Sequence, residues 1–265
     1  MDVLVWMSLL IVGAIAGFVG GLLGVGGGLV VVPALVFVFA AQKLATAVAI
    51  PLAFGTSMAS VFFTSLSSVR AHHARGAVVW VMWRRITPGI LVGGAAGAAL
   101  ATVLPGNGLR LGLCAYLMLI AAQMLFPISP RPRPRPIGRG GMAVAGSLIG
   151  AVSGMVGFGG ASLSIPLLSW SGVQFRQAIG TAGAIGLPIA FSATAGYVTF
   201  GFASDALPPF SLGYVYLPAL AAIVAPSMLL APIGARCAHR LPVPVLKRAL
   251  ALALLLAAAR LAMAH

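Results

Sequence analysis

The sequence predicts an all-α polytopic membrane protein made of two inverted repeats of about five helical elements each. The 265 residues are 61% hydrophobic and only 7% charged, with a mean hydropathy of +1.11, whereas a soluble domain keeps roughly a quarter of its residues charged. Apolar runs close to the ~20 residues that cross a bilayer recur along the chain, and the second half repeats motifs of the first. Lipid is therefore the expected solvent for most of the surface.

The spans are predicted from unbroken apolar runs. Such runs favour helices over a barrel, because barrel strands alternate polar and apolar residues and lipid offers the backbone no hydrogen-bond partners. The first residues lack the basic segment of a cleavable signal peptide, so they are predicted as part of the first span. Seven runs have a suitable length: residues 3–23, 45–68, 86–104, 109–126, 178–200, 212–235 and 245–262.

An internal duplication divides the chain into two halves. Residues 24–35 align with residues 157–168, and the same alignment places Gly13, Gly17 and Gly21 on Gly146, Gly150 and Gly154. A repeat of this length indicates duplicated architecture. We therefore predict a first transmembrane repeat at 1–127, a basic Pro/Arg linker at 128–140 and a second transmembrane repeat at 141–265.

The positions of lysine and arginine predict the orientation in a bacterial inner membrane, because short cytoplasmic loops retain positive charge. Thirteen of the sixteen basic residues then face the cytoplasm, and both termini are periplasmic. The basic loop after Ser68 and its counterpart, the Asp205 loop, fall on opposite sides, so the repeats are inverted, as in many transporters. The cytoplasmic basic residues are Arg70, Arg75, Arg84, Arg85, Arg131, Arg133, Arg135, Arg139, Arg176, Arg236, Arg240, Lys247 and Arg248.

The linker between the halves contains alternating proline and arginine at residues 130–136. This composition predicts a stiff, extended polyproline segment on the cytoplasmic side. We interpret it as a spacer, with binding of anionic lipid headgroups by its arginines as the alternative.

A glycine cluster interrupts an apolar run in each half, at residues 24–28 and 157–160, and only about a dozen apolar residues follow. Glycine permits a tight turn, and a helix that begins after the turn directs unsatisfied N–H groups and its positive dipole end at the break. Such an N-terminus attracts anions. If the two breaks meet near the bilayer midplane, their N–H groups could bind one oxyanion.

The alternative is that these glycines only allow close helix packing, and that nearby hydroxyls only join helices. Contiguous glycines, however, weaken a continuous helix, whereas packing motifs space glycine by four. A dinucleotide fingerprint is disfavoured because its glycine spacing is absent. The candidate substrate-binding residues are Gly26, Gly27, Gly28, Gly159, Gly160, Ala161 and Ser162 at the breaks, with Gly55, Thr56, Ser57, Gly180 and Thr181 from a second pair of matching motifs.

Other functions are disfavoured by what the predicted spans contain. Asp and Glu are absent from every span, which removes the usual proton relay and the usual ligands of hard cations. Catalysis would need a nucleophile, carboxylate or metal constellation, and none occurs there. We therefore predict no enzyme activity, no cofactor, no metal and no nucleic-acid partner. The expected partners are a small anionic substrate and the lipid bilayer, and the oligomeric state is left open.

Three motifs resemble one known family: Gly24–Gly28 with Pro33, its echo Gly157–Gly160 with Pro166, and Gly55–Ser57 followed by the His72 loop. Together they make the chain similar to TauE/SafE proteins, the sulfite exporters, over residues 9–262. The resemblance implies a multi-pass inner-membrane permease that moves sulfite, sulfonates or other organic anions, generally outward. It leaves the particular anion and the coupling ion open, and a membrane scaffold without transport is the alternative.

Overall fold

A computed structural model describes residues 3–23, 26–126, 137–202, 204, 206–237 and 243–263. These residues form ten α-helices and one short β-hairpin. The predicted linker core at 127–136, Gly24, Val25 and both acidic residues lie outside the described residues, so the division into 1–127, 128–140 and 141–265 stays a prediction. The elements are α1 Val3–Leu23, α2 Gly28–Ala41, α3 Thr46–His73, α4 Trp80–Val103, α5 Gly106–Leu125, α6 Arg139–Val156, α7 Ala161–Trp170, α8 Phe175–Gly201, β1 Ser211–Leu212, β2 Val215–Tyr216, α9 Leu217–Cys237 and α10 Val243–Met263.

The all-α membrane fold is confirmed: seven helices of the described chain are long and apolar enough to cross a membrane. They are α1, α3, α4, α5, α6, α8 and α9. Six of the seven predicted runs coincide with members of this set. The seventh run forms α10, a helix of 21 residues that carries Lys247, Arg248 and Arg260, whereas α6 was not among the predicted full-length runs.

The helix in the predicted run 212–235 begins several residues after the start of the run. Ser211 pairs with Tyr216, and Leu212 with Val215, in an antiparallel hairpin, and α9 starts only at Leu217. Gly213 turns the hairpin with φ +53°, and the aromatic and β-branched residues around it favour strand. Hydropathy alone could not distinguish this buried hairpin from a helical turn.

Two helices are too short to span. α2 has 14 residues and α7 has 10, which at 1.5 Å per residue gives about 21 Å and about 15 Å. The hydrocarbon core of a bilayer is about 30 Å thick. Both helices follow a glycine cluster, so the prediction of a short helix after each break is confirmed.

The first helix of each half packs against the fourth helix of the other half. Glycines form both contacts: Gly13, Gly17 and Gly21 of α1 lie against Ile223, Ser227 and Ala231 of α9, and Gly89, Gly93 and Gly97 of α4 lie against Ala143, Ser147 and Ala151 of α6. Both pairs therefore run parallel, with the backbones in close approach, as small residues allow in membrane bundles.

The central helices α3 and α8 run antiparallel to each other. Gly55 of α3 lies against Tyr197 of α8, while Ser65, further along α3, lies beside Gly186, earlier in α8. Most residues of both helices are buried. Because α3 and α8 occupy equivalent places in the two halves, their opposite directions support the predicted inversion, which stays a prediction.

Candidate functional site

Both short helices begin at a glycine that adopts a left-handed conformation. Gly27 precedes α2 with φ +81°, and Gly160 precedes α7 with φ +68°. A residue with a Cβ pays about 1–2 kcal/mol in this region, so glycine is the natural residue at both positions. No described side chain caps either N-terminus, so each start presents N–H groups of a first helical turn that have no partner within the helix.

The structure brings the two breaks into contact inside the protein. A Cβ atom at Gly28 would lie 3.1 Å from the carbonyl oxygen of Gly157 and 3.3 Å from the Cα atom of Phe158. The Ser57 hydroxyl, from α3, donates a hydrogen bond of 2.9 Å to the same Gly157 oxygen. All four residues are buried. The start of α2 and the turn before α7 thus form one buried region, which we call the paired breaks (residues 26–28 and 157–161).

The Ser162 hydroxyl contacts α5. Its Oγ lies 2.8 Å from the Oη atom of Tyr116, whose ring stacks on Phe158 with 4.9 Å between centroids. Ser162 and Tyr116 therefore share a hydrogen bond at the edge of the paired breaks. The neighbouring Ala161 and Gly159 are buried in the turn itself.

Thr56 and Thr181 occupy equivalent positions, and each accepts a backbone hydrogen bond from the other half. Tyr216 N–H donates to Thr56 Oγ1 at 2.9 Å, and Val79 N–H donates to Thr181 Oγ1 at 2.9 Å. These two donors lie immediately before α9 and α4. The described contacts of the two threonines therefore join the halves.

The glycines before these threonines pack in the same symmetric way. Gly55 lies against the carbonyl oxygen of Tyr214, and Gly180 lies against that of Ala77. Of the second pair of predicted motifs, only Ser57 makes a described contact with the paired breaks.

Two buried serines that the sequence reasoning missed lie beside the breaks. A Cβ atom at Gly26 would lie 3.2 Å from Ser65 Oγ, and one at Gly160 would lie 2.8 Å from Ser153 Oγ. Ser65 is 1% exposed and Ser153 0%, yet neither hydroxyl has a hydrogen-bond partner in the described part of the chain. A buried hydroxyl without a partner is costly, and a hydrogen bond to a bound ligand would offset this cost at each position.

Ser65 lies between both breaks. Besides its proximity to Gly26, its Oγ would lie 2.9 Å from a Cβ atom at Gly186, a position 3.5 Å from the carbonyl oxygen of Gly159. A detectable signal existed in the sequence, because Ser65 follows Ser57 at a spacing that returns to one side of a helix. For Ser153 the signal was its place one turn before Gly157.

The polar side of α3 continues beyond the paired breaks. Ser68, one turn after Ser65, is also buried without a described partner, and His72 follows at 7% exposure. The buried polar residues of α3 are Thr56, Ser57, Ser60, Thr64, Ser65, Ser68 and His72. Ser65, Ser68 and His72 lie on one side of α3 and form a polar stripe from the breaks to the basic end of the helix, where Arg70 lies.

The described residues contain no group of three or more His, Cys, Asp or Glu that could hold a metal ion. The paired breaks contain neutral donors, namely backbone N–H groups and hydroxyls, together with the carbonyl oxygens of Gly157 and Gly159. Neutral donors of this kind suit an oxyanion, as in other sites built from backbone amides.

Comparison with known proteins gives a consistent result. The family described as "Sulfite exporter TauE/SafE" matches residues 9–261. A Haemophilus influenzae protein named "Probable membrane transporter protein" is 32% identical over 250 residues, which cover 94% of this chain and 95% of that protein. The Bacillus subtilis protein YdhB, which has the same designation, is 26% identical over 92% of this chain and 95% of its own length. No solved structure matches.

Proposed function

We propose, since this chain belongs to the sulfite exporter TauE/SafE family and is a multi-pass membrane transporter, that its cargo is a small sulfur-containing or organic anion. One observation carries the proposal: the starts of α2 and α7 lie in one buried region, beside two serine hydroxyls that have no hydrogen-bond partner among the described residues. Sulfite and sulfonates are the substrate class, and the paired breaks are the binding site.

The proposed site binds without a charged side chain. First-turn N–H groups and the positive helix ends attract the oxyanion, and the Ser65 and Ser153 hydroxyls complete the donors that replace water. Because no fixed positive charge holds the anion, release on the other side stays possible. Binding that is too tight would slow transport, so neutral donors suit a carrier.

The halves differ at the breaks, which suits an elongated anion. Ala161 and Ser162 stand where the first half has Gly28 and Leu29, and Ala182 stands where it has Ser57. A sulfonate group would bind the donors at one break, and the remainder of the molecule would extend toward the other. Inverted halves around a central site are the arrangement of many alternating-access carriers.

The proposed direction is outward, as the description of the family as sulfite exporters implies, and the proposed location is the inner membrane. α4, α6 and α8 begin, and α3 and α9 end, at one end of the bundle, where Arg84, Arg139, Arg176, Arg75 and Arg236 lie. This collection of positive charge supports a cytoplasmic placement, and with it periplasmic termini. The polar stripe of α3 would then connect the cytoplasm with the paired breaks.

The test is flux in proteoliposomes. Labelled sulfite, sulfate and a short alkanesulfonate are measured with and without a pH gradient, for the wild type and for a Gly27→Leu/Gly160→Leu double variant. Gly172→Leu is the matched control, because Gly172 also has a left-handed φ of +84° but no atom within 4 Å of its Cβ position. We expect saturable flux of at least one sulfur anion, abolished in the double variant and kept in the control.

A second variant keeps the test valid if the double glycine variant does not fold. Ser65→Ala/Ser153→Ala removes two hydroxyls that make no described hydrogen bond, so it should fold. If this variant, monodisperse in detergent, carries the anions as fast as the wild type at every concentration, the paired breaks are not the binding site. If the wild type moves none of the anions, the proposed substrate class is wrong.

A further inference from the structure

A second basic feature lies at the outer surface of the bundle, between α4 and α6. An open groove of about 620 Å³ is lined by Arg84, Arg85 and Arg139, with Val81, Pro88 and Ala143 as its apolar part. Arg84 and Arg139 are exposed and Arg85 is partly exposed. Three guanidinium groups therefore surround one concave surface.

The charge of this groove is not balanced by the described protein. The sequence has only two acidic residues, Asp2 and Asp205, and neither belongs to the described residues, in which the three arginines form no ion pair. Arginine presents a planar fork of donors that matches phosphate oxygens. An anion that enters the groove from outside the chain would therefore meet three such donor groups.

The position of the groove indicates which kind of anion. α4 and α6 run parallel, with Gly89 against Ala143, so both begin at the same end of the bundle, and the arginines lie within the first two turns of these helices. Beyond the groove the outer faces of the two helices expose large apolar side chains, among them Val92 at 69% and Leu148 at 64%. A polar anion would meet the guanidinium groups but would leave this apolar surface without a matching partner.

We infer that the groove formed by Arg84, Arg85 and Arg139 binds an anionic phospholipid, with the phosphate headgroup on the arginines and an acyl chain along α4 and α6. The charge and the adjoining apolar face both match such a molecule. The site is separate from the paired breaks and does not depend on the identity of the transported anion. It would hold the packed ends of α4 and α6, one from each half, against the bilayer surface.

The experiment compares lipids with one acyl composition by native mass spectrometry of the full chain in detergent. The probes are phosphatidylglycerol, phosphatidylcholine and inorganic phosphate. The groove variant is Arg84→Gln/Arg85→Gln/Arg139→Gln, and the control, Arg176→Gln/Arg236→Gln/Arg248→Gln, removes the same charge from exposed arginines outside the groove. Each arginine that contacts the anionic headgroup contributes about 1 kcal/mol, or about five-fold in affinity, whereas the arginines of the control variant lie outside the groove and make no such contact.

We expect phosphatidylglycerol to bind the wild type more tightly than phosphatidylcholine does. Its affinity should fall on the order of 100-fold in the groove variant and by less than a factor of ten in the control variant. Equal losses in both variants would show general charge attraction and overturn the inference. It would also be overturned if phosphatidylglycerol and phosphatidylcholine bound equally, or if inorganic phosphate displaced the lipid at equal concentration.

Discussion

Replacing Ser65 by alanine separates binding from folding. The Ser65 hydroxyl is 1% exposed and has no hydrogen-bond partner in the described chain, so the fold loses no bond when it is removed. An unpartnered buried hydroxyl costs about 1–3 kcal/mol, so its removal should leave the free energy of unfolding unchanged or raise it by up to about that amount. The substitution therefore should not reduce thermal stability.

Transport should respond in the opposite way. A hydrogen bond to a charged partner contributes about 1.5–3 kcal/mol, which corresponds to a loss of about 10- to 100-fold in the ratio of maximal flux to KM. The assay is initial-rate uptake of the anion that the wild type carries, measured in proteoliposomes over a range of concentrations. Thermal unfolding in detergent is measured on the same preparations.

Ser60→Ala is the matched control on the same helix. Ser60 is equally buried, but its hydroxyl already donates to the Ser57 carbonyl oxygen at 2.8 Å. Ser60→Ala should therefore leave the flux close to the wild-type value and lower the free energy of unfolding by no more than about 1 kcal/mol. The reasoning is refuted if Ser65→Ala keeps wild-type flux and KM, or if Ser60→Ala loses as much flux as Ser65→Ala.

Two further substitutions test the frame of the site. Gly27→Ala should lower the free energy of unfolding by about 2–3 kcal/mol, and Gly172→Ala by about 1–2 kcal/mol. Both positions are left-handed, but at Gly27 the new Cβ would also lie 2.6 Å from the backbone oxygen of Ala16, whereas no atom lies within 4 Å at Gly172. Equal losses in chemical denaturation would contradict this. Thr181→Val removes the acceptor of the Val79 N–H and should cost about 0.5–1.5 kcal/mol, read as a lower midpoint of thermal unfolding, and an unchanged midpoint would show that this contact between the halves is dispensable.

The broad fold was predictable because it depends on length and hydropathy. Lipid forces the backbone into helices, so runs such as 45–68 and 178–200 identified α3 and α8, and the glycine clusters identified the short helices. α6 was harder to recognise as a full span, since Arg139 and two glycines occupy its first turn. The hairpin before α9 was not predicted because the hydropathy of its residues is as high as that of a membrane-spanning helix.

The candidate site was only partly predictable, because a sequence motif does not specify the partner of a side chain. Thr56 and Thr181 were selected for being near the breaks in sequence, but their described hydrogen bonds are with the segments before α9 and α4. For Ser65 and Ser153, local sequence shows only their helical spacing from Ser57 and Gly157. Their proximity to the paired breaks depends on how helices from the two halves pack, and local sequence does not contain that information.

The packing of α1 against α9 has a consequence for biosynthesis. Gly13 on the first helix meets Ile223 on the ninth, and at about 5–20 residues per second the ribosome needs on the order of ten seconds or more to make the chain between them. During that interval the glycine surface of α1 has no native partner. Lipid or the insertion machinery therefore contacts this surface of α1, the first helix to enter the membrane, until nearly the whole chain has been synthesised.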